Sequence, residues 1–218
     1  METRYQEHFF DRPDESDDAL FYAEPRLVVH IDDEAIAQIG RIFQEVIPHN
    51  GIILDLMSSW RSHLPADFPK ARMVGLGMNA VEMQENPDLD EYVVHDLNED
   101  PRLPFENESF DAVILTVSAQ YLTKPVEVFQ DVNRLLTPNG PLAVTFSNRM
   151  FPTKAVRIWQ ACNDQERMTL LKLYFQKAGG YEDIVAQDRS PNLGYYTDPV
   201  YLVMGRKISQ GDETPHAG

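Results

Sequence analysis

The sequence predicts a doubly wound α/β fold, with a mostly parallel sheet closed at its C-terminal end by an antiparallel hairpin. Three observations predict it. Five short apolar runs alternate with amphipathic or turn-forming stretches, no apolar run approaches the length of a membrane span, and the last two strand-like segments have no helix between them.

At 218 residues, with 43% hydrophobic and 25% charged residues, the chain suits one domain that buries its own core. The N-terminal stretch METRYQEHFFDRPDESDD is acidic and has no basic start followed by an apolar segment, so a cytoplasmic protein, or in a eukaryote a plastid one, is expected. Cys162 is the only cysteine, which excludes an intramolecular disulfide and a thiolate metal cluster. The formal net charge of −16 repels phosphate backbones and anionic membrane surfaces, so no nucleic acid or membrane partner is expected. Solubility alone also accounts for that acidity.

Residues 1–30 carry Pro13, Pro25 and many acids but no clear periodicity, and read as an arm or lid. Asp32 or Asp33 caps a helix whose core face is Ile36, Ile39, Ile42, Phe43 and Val46, and Pro48 stops it. GIILDL (51–56) is a buried strand, Ser58 to about Leu64 a short helix, and ARMVGLGM (71–78) a second strand. Asn79 caps a helix that Pro87 ends. EYVVHDL (91–97) and FDAVILTVS (110–118) are the third and fourth strands, both expected to be central. Pro125 opens a helix with Val128, Phe129, Val132, Leu135 and Leu136 on one face and Gly140 beyond its end, before the fifth strand, PLAVTFS (141–147). A helical region over 153–177, with Cys162 inside it, is closed by Gly179 and Gly180. YEDIVAQD and PVYLVMGRK then form the hairpin across SPNLGYYTD. The expected organisation is an arm over 1–30, a domain over 31–208 and a disordered tail over 209–218.

Ligands of open parallel sheets bind beyond the carboxyl ends of the strands, where strand order reverses. That rule selects Asp55 to Trp60, Gly77 to Asn79, His95 to Asn98 and Thr116 to Tyr121. A ligand touching all four would be nucleoside-sized.

The residues at these places carry a resemblance. ILDLMSSW, MVGLGMN, VVHDLNEDPRLPFENESFDAVI and YLTKPVEVFQDVNRLLTPNGPLAVTFSN, in that order and followed by a hairpin, resemble the motifs of class I S-adenosylmethionine-dependent methyltransferases, whose sheet is Rossmann-like and seven-stranded. The likeness is strongest over 51–148. It is closest to a methyltransferase-like group of bacteria and plant plastids sharing DLxSSWxSHLP, EYVVxDLN, FSNRxFPTKA and YFxxAGG.

The resemblance implies S-adenosyl-L-methionine as cofactor. It sets Asp55, Met57, Ser58, Ser59 and Trp60 by the methionine half; Gly77, Met78 and Asn79 by the ribose; Asp96 and Leu97 by the adenine; and Thr116, Val117 and Ser118 beneath the sulfonium. The plainer roles are a helix or turn cap for Asp55, an Asx turn for Asp96, helix caps for Ser58, Ser59 and Asn79, and packing for Trp60. Tyr22, Arg26, His63 and Asn148 are the candidate substrate contacts, and His30 and Tyr121 the candidate base or orienting groups. Arg149, beside Asn148, shares that rim. His30 and Asp32 lack a third ligand, so no metal site is expected.

Two departures from the family pattern stand out. The turn after the first strand has no glycine to admit the cofactor backbone. Gly77 also stands where the family has an acid for the ribose hydroxyls. The leading expectation is methyl transfer to a small-molecule acceptor by a monomer or homodimer; the alternative is an inactive relative that binds a nucleoside or a partner protein. A nicotinamide-dependent oxidoreductase requires a glycine-rich first turn, which is absent.

Overall fold

A computed structural model describes residues 8–209. The elements, in chain order, are α1 (Asp18–Phe21), α2 (Asp33–Val46), β1 (Ile52–Leu56), β2 (Arg72–Gly77), α3 (Ala80–Gln84), β3 (Glu91–Val94), β4 (Ala112–Thr116), α4 (Pro125–Leu135), β5 (Pro141–Phe146), α5 (Arg157–Ala161), α6 (Asp164–Ala178), β6 (Tyr181–Asp188) and β7 (Tyr201–Lys207). They build one seven-stranded sheet in the order β3-β2-β1-β4-β5-β7-β6. β1 to β5 pair in parallel; β7 runs antiparallel to β5, and β6 antiparallel to β7. The expected fold class and terminal hairpin are both present.

The two-residue period of the strands divides the core. Leu54, Leu56, Val113, Leu115, Leu142 and Val144 face α4 and α6 through Phe129, Leu135, Leu171 and Phe175. Ile53, Met73, Ile114 and Ala143 face α2 through Ile39, Ile42 and Phe43. By the same period Asp55 shares the α2 side with Ile53, beneath the segment joining β1 to β2.

That segment is the first correction. The helix expected from Ser58 to about Leu64 is absent, and no regular element lies between Leu56 and Arg72. Pro65 and Pro69 remove donors and disfavour helix at the residues before them. The hydroxyls of Ser58 and Ser62 instead donate to Asp55 Oδ2 at 2.6 and 2.7 Å. Neither Ser58 nor Ser59 caps a helix.

The second correction concerns β3, which is an edge strand and shorter than 91–97. Tyr92 and Val94 are exposed. His95 N–H still donates to Gly77 O, but Asp96 Oδ1 then accepts from the Asn98 and Glu99 amides and turns the chain away. β4 is central, as expected. The helical region over 153–177 is two helices, α5 and α6; Cys162 closes the first, and a reciprocal Asn163–Glu166 capping box opens the second. The tail expected from 209 onward lies outside the described residues beyond Ser209.

The arm is docked on α5 and on the loop that leads into it from β5. Phe9 and Asp11 carbonyls accept from the Ile158 and Arg157 amides, and Asp14 N–H donates to Thr153 O. Lys154, fully buried, donates to Ser16 O at 2.7 Å and meets Asp18 at 3.0 Å. Arg12 Nη1 donates to both Asp18 oxygens, at 2.7 and 2.8 Å.

Candidate functional site

The strand order reverses between β1 and β4, and a cavity of about 330 Å³ opens at the carboxyl ends of the strands there. This volume lies in the range of small-molecule sites, about 300–1,000 Å³. Asp55, Met57, Ser58, Ser59, Trp60, Gly77, Met78, Asn79, Asp96, Leu97, Thr116, Val117 and Ser118 all line it, as do Tyr22, Arg26, His63, His30 and Tyr121. Asn148 does not; it is exposed, and the next residues, Arg149 to Phe151, line the cavity instead.

Several of these side chains already have protein partners. Asp55, fully buried, is held at a pKa of about 7 by burial, against the opposing pull of its two serine bonds, while nearby Asp88 adds to the rise. Its bonds to Ser58 and Ser62 tie down the first loop. Ser59 Oγ donates to Glu82 Oε2 at 2.6 Å, and Asn86 donates to Ser59 O and Ser62 Oγ. Asn79 caps α3 through Oδ1, and its Nδ2 donates to Tyr22 O at 2.8 Å, which clasps the arm. Trp60 Nε1 donates to Val28 O at 2.9 Å and makes a second clasp. Ser58 N–H donates to Leu76 O, so the loop lies across the end of β2. A β-carbon at Gly77 would collide with the Ser58 carbonyl, which explains glycine where an acid was looked for.

Other groups stand free. Thr116 Oγ1 and Ser118 Oγ, at the end of β4, are buried and have no partner among the described residues. A buried hydroxyl left unpaired is costly, and a ligand at this edge could satisfy both. Backbone strain is present at the same rim: Met57, His63 and Val117 have left-handed φ, at 58°, 61° and 48°. For a β-branched residue such as Val117 this is an outlier of the kind found at ligand sites.

Of the candidate proton-handling groups, Tyr121 Oη accepts from Phe151 N–H at 2.8 Å, and burial raises its pKa. The His30 ring packs edge-on against Phe151, 4.9 Å between centroids, and its pKa falls through burial and the nearby Arg26 charge. His63 falls to about 4 through burial, aided by Arg61. All three favour their neutral forms near neutral pH.

Sequence reasoning missed Asp18, Glu82 and Phe151 on the cavity wall. Asp18 is one of several acids in an acidic stretch, and nothing local marks it as the one that folds inward. Glu82 accepts from Arg26 N–H at 2.7 Å and from Ser59 Oγ, a pairing across the chain that no spacing announces. Phe151 stands within FSNRMFPTKA, the segment noted for its resemblance.

Residues 69–144 match the methyltransferase domain family. The comparison with curated protein sequences finds no match. Among solved structures, the chain is similar to the [4+2]-cyclase SpnF, with TM-score 0.60, 16% identity and coverage of 85% of this chain and 89% of that one. It is similar to the partner of the Trm112 methyltransferase activator in a Haloferax volcanii complex, with TM-score 0.59, 16% identity and 81% and 92% coverage. It is also similar to an S-adenosylmethionine-dependent methyltransferase of Mesorhizobium loti, with TM-score 0.54, 15% identity and 77% and 96% coverage. At these identities the likeness establishes the fold: the seven-stranded α/β sheet of S-adenosylmethionine-dependent methyltransferases. Among the described residues no helix is long and apolar enough to cross a membrane.

Proposed function

We propose that the protein is an S-adenosylmethionine-dependent methyltransferase acting on a small-molecule acceptor in the cytoplasm, and that it is closest to the bacterial and plastid group sharing DLxSSWxSHLP and FSNRxFPTKA. One observation carries the reading. The reversal point of the sheet opens into a cavity of suitable volume whose lining includes Thr116 and Ser118, and their buried hydroxyls have no partner among the described residues. The match of the methyltransferase domain family to residues 69–144 supports it, but the SpnF likeness shows that this fold also hosts other chemistry.

The residues present fit the cofactor, with changed donors. Thr116 and Ser118 would meet its polar atoms over β4, Asp96 and Leu97 would flank its base, and Met57 and Trp60 would wall the methionine side. Glu82, buried on α3 just beyond the end of β2, would offer the carboxylate that Gly77 lacks. When bound, the cofactor supplies a methyl group already activated on a sulfonium. The chain then has to position the acceptor and exclude water. Tyr22, Arg26 and His30 would do this as part of a lid formed by residues 8–30, and Tyr121 would orient the acceptor from the opposite wall. His30, neutral at physiological pH, can receive a proton from an acceptor that ionises as it is methylated.

Calorimetric titration with S-adenosylmethionine and S-adenosylhomocysteine tests the reading. Saturable binding is expected. No heat and no thermal shift at millimolar ligand would remove the cofactor, and the enzyme with it.

A further inference from the structure

Three arginines line the cavity, in three different situations. Arg149 is ion-paired to Asp198 at 2.8 Å. Arg61 is exposed and stacks over Trp60 at 4.5 Å. Arg26 is partly buried and, among the described residues, has no carboxylate within ion-pair distance. Its Nη2 donates to Phe21 O at 2.8 Å, and its Nη1 is buried with no partner among the described residues. In a chain of net charge −16, a shielded guanidinium left without a counter-ion is a costly arrangement.

The guanidinium is held in place nonetheless. Its carbon lies 4.5 Å from the Phe21 ring centroid, 5.5 Å from that of Phe151 and 5.9 Å from that of Tyr22. Its backbone is fixed by the Arg26 N–H bond to Glu82 at 2.7 Å. Aromatic faces orient the fork without neutralising it, so its remaining N–H groups stay available to a planar anion. The glycine-free loop after β1 points the same way. Its Ser58 amide is spent on Leu76 O, so that amide cannot receive an anionic ligand group.

We propose that Arg26 is the receptor for a ligand carboxylate in this cavity. The inference rests on the methyltransferase reading for two sources of that group: the amino-acid end of the cofactor, or a carboxylate on the acceptor. Either one would complete the unpaired fork.

The test titrates the full chain and its Arg26→Gln variant with S-adenosylhomocysteine and with the decarboxylated analogue of that nucleoside, then with benzoate in the presence and absence of S-adenosylhomocysteine. The unfolding midpoint controls for folding, and Arg26→Lys for charge alone. If the carboxylate is the cofactor's, the unmodified chain prefers S-adenosylhomocysteine over its decarboxylated form by roughly ten- to a hundredfold, and Arg26→Gln removes the preference. If it is the acceptor's, both nucleosides bind the variant normally, while benzoate binding is lost. If neither nucleoside binds the unmodified chain, the methyltransferase reading falls and benzoate alone decides for or against Arg26. A folded Arg26→Gln protein that keeps both the nucleoside preference and benzoate binding would overturn the proposal, as would an unmodified chain with neither.

Discussion

The carbonyl of Ser58 lies where a β-carbon on Gly77 would have to go. Two features that first look like separate departures, a first loop without glycine and a second strand without its terminal acid, are therefore one arrangement. The loop is drawn across β2 by the Ser58 N–H bond to Leu76 O and by the serine bonds to Asp55. Glycine is the only residue that leaves it room.

Restoring an acid at this position is expected to fail. Gly77→Asp and Gly77→Ala should each cost roughly 1–3 kcal/mol or more in urea unfolding, since backbone must move to admit the new atoms. Gly77→Asp should also weaken S-adenosylhomocysteine binding. A Gly77→Asp protein that is both stable and tighter-binding would show that the Ser58 loop gives way easily.

The two free hydroxyls should behave in the opposite way. Thr116→Val and Ser118→Ala remove buried groups that have no partner among the described residues, so each should leave the unfolding midpoint unchanged or raise it slightly. Each should lower nucleoside affinity by roughly threefold or more, if those atoms meet the ligand. Thermal melts with and without S-adenosylhomocysteine measure both effects in one experiment.

Asp55 and His63 should tilt the pH dependence of stability in opposite directions. The Asp55 pKa rises from 3.8 to about 7 on folding. Between those values the folded protein holds a proton that the unfolded chain releases, so stability declines as pH rises through this window. The span corresponds to on the order of 4 kcal/mol. The His63 pKa falls from 6.5 to about 4, so its contribution is complete above pH 6.5 and is lost as pH falls toward 4. Denaturant titrations from pH 4 to 8 should show Asp55→Asn more stable than the unmodified protein at pH 8 and losing that advantage at pH 5. His63→Gln should be relatively favoured at low pH. Parallel profiles for all three proteins would contradict both assignments.

Lys154 should govern how the arm is held. It is fully buried beside Asp18, which also pairs with Arg12 and takes a bond from Asn98 at 2.9 Å. Lys154→Met leaves part of that charge uncompensated and should cost on the order of 3 kcal/mol. Proteolysis within residues 8–30 should speed up before the sheet unfolds. An unchanged cleavage pattern would mean that the backbone bonds to Thr153, Arg157 and Ile158 hold the arm by themselves.

Local signals in the sequence mark most elements of the sheet. Period-two and period-3.6 apolar patterns, Asp32 and Asn79 as helix caps, Pro125 as a helix start and the glycines after α6 are local signals, and the structure agrees with each of them. Local signals also marked the carboxyl ends of the parallel strands, where the cavity opens. Tertiary structure alone decided the rest. Whether Ser58 caps a helix or binds Asp55, whether β3 lies inside the sheet or at its edge, and which acid of the N-terminal arm turns inward to Lys154 all depend on partners far away in sequence. A hydroxyl or carboxylate bonds to whichever group packing brings within about 3 Å. That choice is made by the folded chain and leaves no periodic trace in the sequence.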